Sequence, residues 1–125
     1  MISHISFGVR DLDRAILFYD AVLSQVGATR VWTIADGAGY GYSGGEDALA
    51  LKLRSDTAPP GPGCHFAFNA ESRGAVDAFH AAGLAHGGED HGPPGLRPHY
   101  GDNYYAAFLI DPEGYRIEAL CTADG

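Results

Sequence analysis

Alternating apolar and polar residues predict a strand at the start of the chain. Over residues 2–9 the large apolar side chains occupy one face, and His4 lies on the other. Apolar residues then recur at helical spacing between Asp11, a typical helix-capping residue, and Gly27, a typical stop. Short apolar segments separated by Gly/Asp turns predict three more strands, over residues 30–36, 39–43 and 48–53.

The same order of predicted elements returns after residues 56–63, which are rich in proline and glycine and predict a linker. Residues 64–69 predict a strand with His65 on its polar face, followed by a helix capped near Ser72 and ending at Gly83. The remaining segments predict two closing strands and a weaker one before them, over residues 104–110, 115–121 and 85–90.

The two halves of the chain match as a repeat. His4 and His65 are 61 residues apart, and so are Phe18 and Phe79, and both pairs fall in matching elements. The chain is therefore predicted to be one domain over residues 1–125. Its βαβββ modules cover residues 1–55 and 64–125, and each is small enough to need the other for a shared core.

Charge and composition narrow the function. Sixteen acidic and eight basic residues give a formal charge of −8, which argues against nucleic acid or an anionic membrane as a partner. The sequence contains neither a signal-peptide pattern nor an apolar run of the ~18–20 residues that span a bilayer. Only two cysteines are present, so we expect a cytoplasmic protein with free thiols.

Three residues on the polar faces of predicted strands suggest metal chemistry. Glu118 lies in the middle of the last strand, and a buried carboxylate is unfavourable unless it is paired or bound to a metal. With His4 and His65 at equivalent repeat positions, the set predicts a two-histidine, one-glutamate site for a divalent metal with open positions.

Three segments carry a resemblance to a known family: HISFGVRDLDRAILFY (4–19), CHFAF (64–68) and FLIDPEGYRIE (108–118). The chain resembles the vicinal oxygen chelate superfamily, which includes glyoxalase I, fosfomycin-resistance proteins, extradiol dioxygenases and bleomycin-resistance proteins. The resemblance implies an α+β fold in which two βαβββ modules form a curved, mixed, mostly antiparallel sheet around a cavity. It also implies a homodimer with sites near the subunit interface.

The resemblance also bears on the metal ligands. His4, His65 and Glu118 match three ligand positions of such proteins, while the identity of the metal (Zn²⁺, Ni²⁺, Mn²⁺, Co²⁺ or Fe²⁺) stays open. The glyoxalase I pattern has a further glutamate on the last strand of the first module, where this chain offers Leu51 or Lys52. This departure counts against the glyoxalase I reaction itself.

A site of this kind predicts chelation of a small substrate through neighbouring oxygens, with proton transfer by a nearby base. Glu118 and His99 are the candidate catalytic residues. Aromatic and cationic residues that could contact the substrate are Trp32, Tyr40, Lys52, Arg97, Tyr100 and Tyr105.

Three functions stay open. The first is a divalent-metal-dependent, glyoxalase-like lyase or isomerase. The second is a metal-independent binding protein for an antibiotic-like or aromatic molecule, in which the three residues only hydrogen-bond one another, and the third is an Fe(II) extradiol-type dioxygenase. In all three, the glycine-rich residues 86–103 are expected to form a loop that closes over the cavity.

Overall fold

The computed structural model describes residues 1–123 and contains two modules of the same topology. The first module consists of β1 (Ile5–Val9), α1 (Leu12–Ser24), β2 (Thr29–Ile34), β3 (Gly37–Gly41) and β4 (Asp47–Leu53). The second consists of β5 (Phe66–Asn69), α2 (Arg73–Ala85), β6 (Glu89–Leu96), β7 (Tyr105–Ile110) and β8 (Arg116–Cys121). No helix in the described chain is both long and apolar enough to cross a membrane.

The predicted repeat and the α+β fold of two βαβββ modules are confirmed. Phe66 and Arg73 begin β5 and α2 61 residues after Ile5 and Leu12 begin β1 and α1. The strand orders β1-β4-β3-β2 and β5-β8-β7-β6 are equivalent, and each four-stranded sheet has one parallel and two antiparallel pairs. The strands thus form two mixed sheets, one in each module.

One continuous core joins the modules through the helix-facing sides of both sheets. Phe7 of β1 stacks on Tyr115 with ring centroids 4.2 Å apart, and Tyr115 donates a hydrogen bond to the carbonyl of Gly8 at 2.8 Å. The hydroxyl of Tyr19 in α1 donates to the buried carboxylate of Asp111, between β7 and β8. These contacts fix the first helix against the second module.

The opposite side of each sheet, which we call its outer face, faces away from the helices. Residues alternate between the two sides along each strand, so the register assigns residues to the outer faces. On the first module the outer face consists of Ser6, Trp32, Ala48, Ala50 and Lys52. On the second module it consists of His65, Ala67, Phe108, Arg116 and Glu118.

Two predictions about the second module are wrong: the end of its helix and the loop that follows it. Gly83 does not end α2 but lies inside it, against Leu109 of β7, whose Cδ1 would be 2.3 Å from a Cβ at this position. The expected loop over residues 86–103 instead contains β6, which pairs with β7 as an edge strand. An edge strand tolerates its two prolines, and its pairing is irregular around Gly92.

Candidate functional site

The second outer face carries a buried carboxylate. Glu118 has only 2% of its side chain exposed, because β8 is an inner strand with β5 and β7 on either side. Its Oε1 lies 3.0 Å from Nε2 of His65, the residue immediately before β5. Its Oε2 accepts a hydrogen bond of 2.5 Å from the hydroxyl of Tyr104, the residue immediately before β7. Glu118 is therefore held from both sides.

Tyr104 acts as a permanent donor in this arrangement. Burial raises the pKa of the Tyr104 phenol, and the hydrogen bond to Glu118 and the nearby negative charge raise it further. The phenol thus stays protonated through the physiological range. Such bonding offsets the cost of a buried carboxylate, and it orients Oε1 toward His65.

A pocket of about 330 Å³ opens beside His65, the partner of Glu118. Its lining combines two imidazoles, two aromatic rings and a guanidinium from the second module. Besides Ile117 and the end of the linker (Pro62, Gly63 and Cys64), the lining residues are His65, His91, Tyr100, Phe108 and Arg116. Of the predicted site residues, the structure thus brings His65, Glu118 and Tyr100 to one place.

His4 does not join them within the chain. It is exposed, directly before β1, and its Nδ1 lies 3.0 Å from the hydroxyl of Ser3. Within residues 1–123, no three His, Cys, Asp or Glu side chains are grouped closely enough to hold a metal ion. Imidazole and carboxylate are donors that divalent transition metals accept, so His65 and Glu118 fit such an ion but supply only two ligands.

The register corrects the expected position of the missing fourth ligand. Ser6 of β1 pairs with Ala50, and the repeat-equivalent Ala67 of β5 pairs with Glu118. The counterpart of Glu118 in the first module is therefore Ala50, and not Leu51 or Lys52. The conclusion that no acid occupies this position stands.

Two predicted substrate-binding residues lie on the first outer face. Trp32 covers β3 there, since a Cβ at Gly39 would lie 2.1 Å from its Nε1, and Lys52 is exposed on the same face. Arg97 belongs to the second module. Its guanidinium lies 5.4 Å from the centre of the Phe108 ring and donates to two backbone carbonyls, those of Pro93 and Gly95.

The structure separates three other predicted residues from the pocket lining. Tyr40 is buried in the core on the helix-facing side, with its hydroxyl 2.8 Å from Asp20 of α1. Tyr105 also faces its helix and donates to Asp77 at 2.6 Å. His99 is exposed and packs on Tyr100, with the ring centroids 4.1 Å apart. Tyr40 and Tyr105 therefore face the helices and not this pocket, as strand alternation predicts once the register is known.

Among the pocket-lining residues that the sequence patterns did not single out as site residues are His91, Phe108 and Arg116. Arg116 lies two residues before Glu118 on β8, so the two-residue period of a strand places both on one face. That signal was present in the sequence. The contact between Tyr104 and Glu118 had no such signal, because it depends on the pairing of β7 with β8.

Comparison with known proteins identifies the family to which the chain belongs. Residues 1–119 match the family model described as the Glyoxalase/Bleomycin resistance protein/Dioxygenase superfamily. The chain belongs to this superfamily. No curated protein matches it by sequence.

Solved structures agree with this assignment. A glyoxalase/bleomycin resistance protein from Albidiferax ferrireducens T118 is 34% identical, with 97% of this chain and 98% of that chain covered, at a TM-score of 0.82. A glyoxalase/bleomycin resistance protein/dioxygenase family enzyme from Burkholderia phytofirmans PsJN is 18% identical, with 98% of each chain covered, at 0.75. The fosfomycin resistance protein FosX from Listeria monocytogenes is 18% identical, with 98% and 93% covered, at 0.71. The last two show a shared fold.

Proposed function

We propose that this protein is a divalent-metal-dependent, glyoxalase-like enzyme of the lyase or isomerase type that acts on a small oxygenated molecule. The observation that carries the proposal is the buried Glu118 carboxylate, held between His65 and Tyr104 at the side of a pocket. Buried acids with tightly fixed partners beside a pocket are typical of catalytic sites.

The residues of the chain would have separate metal-binding, positioning and acid–base roles. His65 and Glu118 would hold the metal, and Tyr104 keeps the carboxylate in place through Oε2. A divalent ion held there would supply positive charge against developing negative charge on substrate oxygens. A base beside the chelated oxygens would take the substrate proton: His99, which packs on the pocket residue Tyr100, or the Glu118 Oε1 when the metal does not occupy it.

We further propose that the third ligand is His4 of the partner subunit in a homodimer. His4 and His65 have equivalent positions, each directly before the first strand of its module, yet the chain does not bring them together with Glu118. A second copy that places its first outer face over the second outer face would supply His4, together with Trp32 and Lys52. Both faces would then be covered.

Metal binding is the first test. Glu118→Gln and His65→Ala should each lower the affinity for Ni²⁺ or Zn²⁺ at least 10- to 100-fold, measured by calorimetry and elemental analysis, because each removes a ligand. His86→Ala is the control, since His86 is exposed and bonds the carbonyl of Ala82 at the end of α2. Unchanged affinity in either ligand variant, or no metal binding by the wild type, rejects the proposal.

Subunit sharing has a test of its own. Neither His4→Ala nor His65→Ala should bind metal alone, but refolding the two together should restore about a quarter of the wild-type content. Half of random dimers are then mixed, and each mixed dimer has one intact site of two. No recovery on mixing would place His4 outside the site or inside its own chain's site.

A metal-independent binding function is the second candidate. It is favoured because each of the two Glu118 oxygens already has a polar partner within the chain. The metal titration separates the two functions. Oxygen uptake with catechols by the Fe²⁺-loaded protein would instead identify a dioxygenase.

A further inference from the structure

The arginine beside the proposed site, Arg116, makes no ion pair or side-chain hydrogen bond with the residues that the structure describes. Arg116 lines the same pocket as His65 and lies on the same face of β8 as Glu118, two residues away. Continuing the register of β5 and β8 by one position, beyond the pair Phe66 and Ile117, brings Arg116 opposite His65. The guanidinium and the proposed metal ligands therefore share one wall of the pocket.

This state is unusual for an arginine in this protein. The chain has seven arginines, all within residues 1–123. Six of them make an ion pair, a hydrogen bond or a contact with an aromatic ring, and these are Arg10, Arg14, Arg30, Arg54, Arg73 and Arg97. Among the described residues, Arg116 is the one that makes none of these contacts.

The surroundings of Arg116 favour an anion. The chain carries a net charge of −8, yet no Asp or Glu lines this pocket, and its other ionisable side chains include His65 and His91. The closest acid is Glu118, two residues along β8, and its oxygens are engaged by His65 and Tyr104. Glu89 lies two strands away across Ile110, and neither acid forms an ion pair with Arg116. An unpaired guanidinium presents a planar set of donors that matches a carboxylate.

The remaining walls suit an apolar body. Phe108 lies on the central part of the second outer face, with its ring centre 6.4 Å from that of His65 and the Arg97 guanidinium over it at 5.4 Å. Tyr100, whose side chain is exposed, closes another side of the pocket. The pocket therefore combines one cationic donor group with two aromatic surfaces.

We infer that this pocket selects a small carboxylate with an aromatic or apolar body, whose carboxylate binds Arg116 and whose body packs against Phe108 and Tyr100. The inference rests on the proposed function for its placement at the catalytic site. The recognition of charge by Arg116 does not depend on the metal, so it is measured both on metal-loaded protein and on protein stripped with a chelator.

Mandelate and its uncharged methyl ester are the probes, because they have the same aromatic body and hydroxyl and differ in charge. Calorimetry with the metal-free wild type should show mandelate binding about 10- to 100-fold more tightly than the ester, since hydrogen bonds to charged groups are the strong ones. Arg116→Met should abolish this preference by weakening mandelate alone, and Arg116→Lys should keep part of it. The preference should also decrease as salt is raised.

The control variant is Arg54→Met, an exposed arginine whose side chain bonds only the neighbouring carbonyl of Leu53. It should retain the wild-type preference. Equal binding of acid and ester by the wild type, no mandelate binding at millimolar concentration, or an unchanged preference in Arg116→Met would each overturn the inference. If the wild type binds no metal while the metal-free protein still prefers mandelate to the ester, the proposed function fails and the anion site stands.

Discussion

At the scale of single residues, the main feature of the second outer face is a buried acid whose two carboxylate oxygens both have polar partners. Glu118 is buried, and its two oxygens have different partners: His65, half exposed, on one side and Tyr104 on the other. The exposed partner can turn away toward a metal or substrate, while the phenol keeps the carboxylate in place. Only Oε1 of Glu118 can therefore change its partner, while Oε2 stays bonded to Tyr104.

Replacing Tyr104 by phenylalanine tests this division. The change removes the donor to Oε2 and leaves a buried carboxylate oxygen without a protein partner, which should lower the free energy of unfolding by about 1–3 kcal/mol. Tyr100→Phe is the control, because that side chain is exposed, and it should change stability by less than about 0.5 kcal/mol. Urea unfolding at one protein concentration measures both, and equal effects would contradict the role given to Tyr104.

At the scale of elements, the sequence patterns predicted most of what the structure contains. Both helices begin where the capping residues Asp11 and Ser72 indicate, with each side chain accepting a backbone bond from the third residue on. The periodicity also located the strands that alternate. It misplaced β6: a strand was predicted over residues 85–90, but β6 covers Glu89–Leu96, where a Gly/Pro composition is typical of a loop and pairing with β7 sets the conformation. The periodicity also could not predict which residues contact each other across neighbouring strands.

The pairing of β2 with β3 yields a prediction at this scale. Gly39→Ala places a Cβ 2.1 Å from Nε1 of Trp32, so the indole must leave its position over β3. Since Trp32 is the single tryptophan, its fluorescence should shift to longer wavelength, and stability should fall by about 1–3 kcal/mol. Gly61→Ala is the matched control, because no atom lies within 4 Å of a Cβ there. An unchanged emission spectrum in Gly39→Ala would show that the indole is placed elsewhere.

At the scale of the whole molecule, the pseudo-symmetry explains why the predicted site residues of one chain lie on two separate faces. The helices and the helix-facing sides of both sheets form one core, so the two outer faces point away from it. His65 and Glu118 are on one outer face, and Trp32 and Lys52 are on the other. The sequence predicted the residue types of the site from the repeat. It could not predict that the modules separate them, because that depends on how the modules pack.

A charge placed on the first outer face tests the proposed homodimer. Ala48 is exposed on β4, and Ala48→Glu would place a carboxylate in the proposed subunit contact, where desolvation of an unpaired charge is strongly unfavourable. Light scattering should show the wild type at about twice the chain mass of 13.2 kDa and the variant near a single chain mass. Bound metal should decrease with it, because the partner's His4 is lost. Ala81→Glu, on the exposed side of α2, should leave mass and metal unchanged. A wild type that is monomeric and still binds metal would contradict the shared site.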